Sequence, residues 1–218
     1  MKKTKLLTTL GAVALIGAIG VGSTFAYLTS ETGTVKNTFT VGNVSIDLKE
    51  SKVVKNLQGQ YVDNDEADTW TATKNTYEDL IPGDVMVKDP TVIVKENKAV
   101  ANVFIAVKLD AKNGGWSYDA TNRKFTCGDF STDAVTDKWT VYKVTDSEAV
   151  FYKENVDSSN GDETLTLFNS VTYAASATKA KTPADLMIRA AAVQAGNIDL
   201  DKGYTQVSAK LLDFTSAN

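Results

Sequence analysis

The chain has 218 residues, with 23 lysines and arginines against 27 aspartates and glutamates, one cysteine and no histidine. A net charge of −4 argues against nucleic acid as the main partner, because phosphate binding needs a cationic face. One cysteine excludes an intramolecular disulfide, and the lack of histidine removes the residue that zincins and serine– or cysteine–histidine nucleophile systems all require.

Residues 1–26 read as a signal peptide. Lys2, Lys3 and Lys5 form the charged start, and an uncharged run of apolar and small residues follows from Leu6 to Ala26. Thr24 and Ala26 place small residues at −3 and −1 of a cut between Ala26 and Tyr27, and a cut after Ser23 is the weaker option. An uncleaved membrane anchor is the rival reading, although Gly11, Gly17, Gly20 and Gly22 dilute the run. Contact with the membrane is therefore expected only through the uncleaved signal peptide. Without the three leader lysines the remaining 27–218 carries 20 basic and 27 acidic residues, a net charge of −7 that suits a soluble extracellular surface. Its length suits one domain with a sizeable core.

The chain after the leader is rich in aromatic and β-branched residues and reads mostly as strands. In "FTVGNVSIDL", 39–48, Phe39 and Val41 alternate with Thr40, but Val44, Ile46 and Leu48 have the other parity, so a bulge or tight bend is expected at Gly42-Asn43. The polar stretch 61–79 reads as loop or an irregular connection. Ile81-Pro82-Gly83-Asp84 is a turn signature, with proline fixing one φ and glycine supplying a positive one. Val85 and Val87 alternate with Met86, Val92 and Val94 follow Pro90, and Val103 to Leu109 alternate as one long aliphatic-faced strand. "KNGGW", 112–116, reads as a hairpin turn. Further strands are predicted over 138–145, 149–154, 163–168 and 170–174. Many short strands separated by turns predict a mainly β fold, an antiparallel jelly-roll-like β-sandwich. In "TPADLMIRAAAVQAGN" local rules favour a helix, with Thr182 as N-cap and Gly196 as stop. Residues 201–212 predict a short C-terminal helix with Tyr204, Val207 and Leu211 on one face.

Chemistry-bearing clusters are few. Asp63, Asp65, Glu66 and Asp68 could supply paired carboxylates to a glycosidase, and Asp63, Asp65 and Asp68 are a weak calcium candidate. The cluster lacks the following glycine and distal glutamate of an EF-hand, so a solvated acidic loop is the plainer reading. Trp70, Trp116 and Trp139, with Tyr61, Tyr118 and Tyr142, either line a glycan-binding face or fill the core. Cys127 is either an intermolecular bridge or an unpaired, partly buried thiol. No catalytic residue, resident metal or cofactor is expected.

Three stretches carry a resemblance. "GSTFAYLTSETGTVKNTFTVGNVSIDL" runs from a signal-peptide junction into a first strand. "LIPGDVMVKDPTVIVKENKAVANVFIAVKL" looks like a central hairpin followed by an aliphatic strand, and "MIRAAAVQAGNID" comes near the end. Together they resemble the TasA/camelysin (CalY) family of Gram-positive secreted biofilm-matrix proteins, whose leaders are cut by a SipW-type signal peptidase. The stretch 111–180 carries none of the likeness. The resemblance implies a jelly-roll sandwich with a strand over Leu186–Ala195, against the local helix signal. It also implies secretion and self-association into matrix fibres, with a companion matrix protein as a further partner. In such fibres the segment after the leader, here 27–37, is a donor strand added to the neighbour's sheet. Its apolar residues are Tyr27, Leu28 and Val35. Strand addition pairs backbone groups left open at an edge, and the segment has no proline to prevent it. A mobile tail is the plainer alternative for this segment. For the whole protein the alternatives are a monomeric cell-surface adhesin or glycan-binding module and, least favoured without histidine, a camelysin-like protease.

Overall fold

The structure, a computed structural model, describes residues 40–41, 44–64, 70–71, 75–178, 183–196 and 198–214. The described strands are, in chain order, β1 (Thr40–Val41), β2 (Ile46–Ser51), β3 (Val53–Lys55), β4 (Tyr61–Asp63), β5 (Trp70–Thr71), β6 (Val85–Val87), β7 (Thr91–Val94), β8 (Ala101–Lys108), β9 (Ser117–Asp119), β10 (Lys124–Cys127), β11 (Phe130–Thr132), β12 (Thr140–Val144), β13 (Glu148–Val156), β14 (Glu163–Thr166), β15 (Ser170–Tyr173) and β16 (Ile188–Gln194). One α-helix follows, α1 (Leu200–Leu211).

β8 is the spine, buried on both faces because two different layers use its two parities. It pairs antiparallel with β13 on one side and β16 on the other, in a sheet ordered β1-β16-β8-β13-β12. Val103, Ile105 and Val107 point into the main core. That core is shared with a sheet ordered β6-β15-β11-β10-β9 and another ordered β14-β7-β2-β5. These supply Phe125, Phe130 and Val171, and Ile46, Leu48 and Val92, respectively. Phe104 and Ala106 point the other way, into a second cluster with Ala191, Val193, Val207 and Leu211 that α1 covers. The expected class, a mainly β antiparallel sandwich with a short C-terminal helix, is what the chain adopts.

α1 starts where Asp199 caps it, accepting the Lys202 backbone N–H at 2.8 Å. It buries Gly203, Val207 and Leu211, one stripe at helical spacing. At Gly203 the sheet comes so close that a Cβ would stand 3.0 Å from Val193 Cγ2.

Several expectations need correction. Gly42 and Asn43, where a bulge or tight bend is expected, lie outside the described residues, and across them the chain changes sheet, since β1 pairs with β16 and β2 with β7. The stretch 61–79 is not all loop, since it contains β4 and β5. The turn at 81–84 forms as read, with Gly83 at φ 102° and the Asp84 N–H donating to the Ile81 carbonyl at 3.1 Å. In β6, however, Met86 faces the core and Val85 is 52% exposed. Neither 85–108 nor 112–116 forms a hairpin, because β6, β7 and β8 lie in three different sheets and β9 joins a different one from β8. The segment 112–116 is instead a corner between layers, closed by a three-residue 3₁₀ turn at Ala111–Asn113 and Gly114 in the left-handed region. β16 settles the conflict at 185–195 as a strand, since seven of its residues pair with β8 in unbroken register. Tertiary pairing overrides the helix propensity of its alanines.

Candidate functional site

Among the described residues, the features that bear most on function are the two edges of the β8 sheet. At one edge, β1 pairs parallel with β16, with Thr40 opposite Ala192 and Val41 opposite Val193. The first described strand thus lies at this edge, beside the last described strand. Only two of the seven β16 residues have a described neighbour on that side.

The opposite edge is β12, and it is blunted. Its ladder with β13 slips between Val141 and Lys143, a bulge that twists the edge out of line. Lys143 puts a charge there and pairs with Glu148 at 3.2 Å. Tyr142 turns toward α1 and donates its hydroxyl proton to Asp201 Oδ1 at 2.9 Å. Desolvation, with that carboxylate beside it, pushes the Tyr142 phenol up to about 12. Val141 and Val144 remain 41% and 43% exposed.

A buried polar cluster lies where β2 ends against the residues after β6. Lys88 Nζ meets Glu50 Oε1 at 2.8 Å. The Asn75 side-chain amide donates to the Ser51 carbonyl at 2.8 Å and reaches Glu50 Oε2 at 3.4 Å. Ser51 donates its backbone N–H and its hydroxyl to the Asp89 carboxylate at 2.8 and 2.6 Å. Burial pushes Asp89 up, and the two Ser51 bonds hold it back. The same burial pushes Tyr77, whose hydroxyl donates to the Val87 carbonyl, well above its ordinary value. With every strong donor and acceptor here engaged inside the protein, the cluster acts as a clamp on the segment 75–77.

The residues singled out in the sequence scatter. Ala26, Tyr27, Leu28 and Val35 lie outside the described residues, as do Asp65, Glu66 and Asp68. Asp63 ends β4 in an exposed position. No group of three or more metal-ligating side chains comes together among the described residues. The aromatic residues do not form one glycan platform. Trp116 and Trp139 are buried, with their indole N–H groups donating to the carbonyls of Ala184 at 2.7 Å and Thr166 at 3.1 Å. Tyr118 packs edge-on against Phe151 inside the sandwich, while Tyr61 packs on Tyr77 in a different part of the fold.

Cys127 is buried, its thiol donating to the Gly114 carbonyl at 3.4 Å, which fits the unpaired thiol rather than an intermolecular bridge. It borders an open groove of about 410 Å³ with Thr126, Phe130 and Pro183. A neighbouring groove of about 200 Å³ runs past Lys108, Asp110 and Trp116. The larger groove is also lined by Ser117 and Asp129, and the smaller one by Asn113 and Asp185. No described helix is long and apolar enough to cross a membrane. The β16 edge and the Glu50–Lys88 clamp both escaped sequence reading. Continuing strand parity to Glu50 and Lys88 is the signal that would have found the clamp. No family model, curated protein or solved structure matches the chain.

Proposed function

We propose that the protein is a secreted structural component of an extracellular matrix that assembles into fibres by strand addition. One observation carries the reading: the first described strand joins the fold as a parallel strand at a sheet edge. A sheet edge offers a ladder of backbone donors and acceptors, which is what strand addition uses. The blunted β12 edge supports it, because a protein that associates through one edge must protect the other. On this reading the leader is removed between Ala26 and Tyr27 by a SipW-type peptidase. The resemblance to TasA/camelysin proteins, including a companion matrix protein, belongs to the same proposal. The protein then works by assembly and not by catalysis.

Negative-stain electron microscopy of 27–218 beside 38–218, after concentration and incubation, tests this. Fibres from the longer chain alone are expected. Fibres from both would keep the structural role and remove the donor strand. Well-folded monomers from both would shift the reading to a cell-surface adhesin or glycan-binding module.

A further inference from the structure

We propose that Lys88 and Asn75 become joined through their side chains, the Lys88 amine displacing ammonia from the Asn75 amide while Glu50 carries the protons between them. Such a bond forms within one chain and does not depend on the strand-addition reading.

The three groups that the bond requires are buried together. Glu50, Asn75 and Lys88 are all shielded from water. Lys88 Nζ stands 2.8 Å from Glu50 Oε1, and Asn75 Nδ2 stands 3.4 Å from Oε2 of the same carboxyl group. One side chain thus holds both the amine and the amide, and a fixed neighbour replaces a chance encounter. The partners of the amide set its orientation. Asn75 Oδ1 accepts the Val53 N–H at 3.2 Å, while Nδ2 donates to the Ser51 carbonyl at 2.8 Å and faces Glu50. The Val53 bond polarises the carbonyl and meets the negative charge that develops on Oδ1 when its carbon is attacked.

On an exposed lysine, water keeps the amine as ammonium. Here the pair has lost its water. A proton passed along the 2.8 Å bond leaves an uncharged amine and an uncharged acid, the form that a dry site favours. Asp89, the other carboxylate nearby, is bound through both oxygens by Ser51, and the Tyr77 hydroxyl is bound to the Val87 carbonyl. Glu50 is therefore the group placed to move the protons. The step balances without a co-reactant. The Nζ lone pair forms a bond to Asn75 Cγ, and the carbonyl electron pair moves onto Oδ1. Glu50 gives its proton to Nδ2, the electron pair on Oδ1 returns, the Cγ–Nδ2 bond breaks and ammonia leaves. Nζ returns one proton to Glu50, which ends as the neutral acid beside the new amide. The product closes residues 75–88 into a ring that ties the segment before Tyr77 to the end of β6. A chain with one cysteine has no internal disulfide for this, and the amide constrains the unfolded chain as a disulfide would.

Mass spectrometry of the folded, purified chain is the test. Its mass should fall below that calculated for its own termini by one ammonia. A protease that cuts after Glu78, inside the ring, should leave two peptides still joined through Asn75 and Lys88. An unshifted mass in folded protein would overturn the proposal, and so would a lost ammonia without joined peptides. Asn75→Ala removes the amide and keeps the Glu50–Lys88 ion pair, so it should show neither the mass loss nor the joined peptides. Either one persisting there would also overturn the proposal. In that background the coupling of the two charges is measured free of the bond. Glu50→Gln keeps amine and amide but lacks the proton carrier, so joining should slow by about a hundredfold or more, and an unchanged rate would remove Glu50 from the step. If Glu50→Gln does not fold, the parent and Asn75→Ala still decide whether the bond exists.

Discussion

Lys88 and Glu50 meet at 2.8 Å with each side chain only 4% exposed, Glu50 on β2 and Lys88 directly after β6, a strand of a different sheet. Two charges so far from water are tolerable only together. Removing one leaves the other buried and unpaired, at a cost of about 3–5 kcal/mol. Lys88→Met should therefore lower stability by roughly that amount in guanidinium unfolding. Adding Glu50→Gln to it should recover part of the loss, because no full charge then remains stranded. Two single losses that simply add would mean the charges are not coupled.

The same pair shows what could be read from the sequence. Val44, Ile46 and Leu48 alternate inward, and Glu50 continues their parity. Lys88 likewise continues the parity of Met86. Alternation made β8, β12, β13 and the strand nature of most of the chain legible, because period two is a local property. Sheet membership is not local, so β6, β7 and β8 read as a hairpin run although each joins a different sheet. The short strands β9, β10 and β11 were missed for a related reason: three or four residues are too few to show a period. At Ala190–Ala192 the local signal pointed to helix, and pairing with β8 decided otherwise.

Asp89 gives the acid limb of the stability curve an unusual member. Burial holds its folded pKa above the unfolded value of about 3.9. A raised carboxyl favours the fold below the unfolded pKa and disfavours it above the folded one. Asp162, bound by Lys95, and Asp199, bound by Lys202, are depressed, so what they contribute is lost as pH falls through their folded values. Asp89 thus offsets part of the acid loss. Melting temperatures of Asp89→Asn should fall more steeply than those of the parent between about pH 6 and pH 3. Parallel curves would show that Asp89 titrates alike in both states.

Gly203 tests how tightly α1 sits. Gly to Ala inside a helix is ordinarily worth about 1 kcal/mol in favour of the fold. Here the new methyl would stand 3.0 Å from Val193 Cγ2 and 3.8 Å from Phe104 Cε2, both in the buried cluster beneath the helix. Overpacking of that kind costs about 1–3 kcal/mol. Gly203→Ala should therefore lose about 1 kcal/mol net, read as a lower urea midpoint with an unchanged slope. A higher midpoint would mean that the helix lifts off the sheet at little cost.

The β12 edge carries a prediction about solubility rather than stability. Lys143 stands among Val141, Tyr142 and Val144, and its pairing with Glu148 is a surface one, worth about 0–1 kcal/mol. Replacing it with valine leaves four consecutive apolar residues on a sheet edge, a template for pairing with other chains. Lys143→Val should keep its unfolding midpoint within about 1 kcal/mol of the parent while light scattering shows association rising with concentration. Lys143→Ser, which lacks both the charge and the added apolar surface, should stay closer to the parent. If Lys143→Val stays monodisperse, the bulge between Val141 and Lys143 protects the edge by geometry alone. Unwanted pairing at β12 would then be blocked by the backbone, whatever side chain stands there.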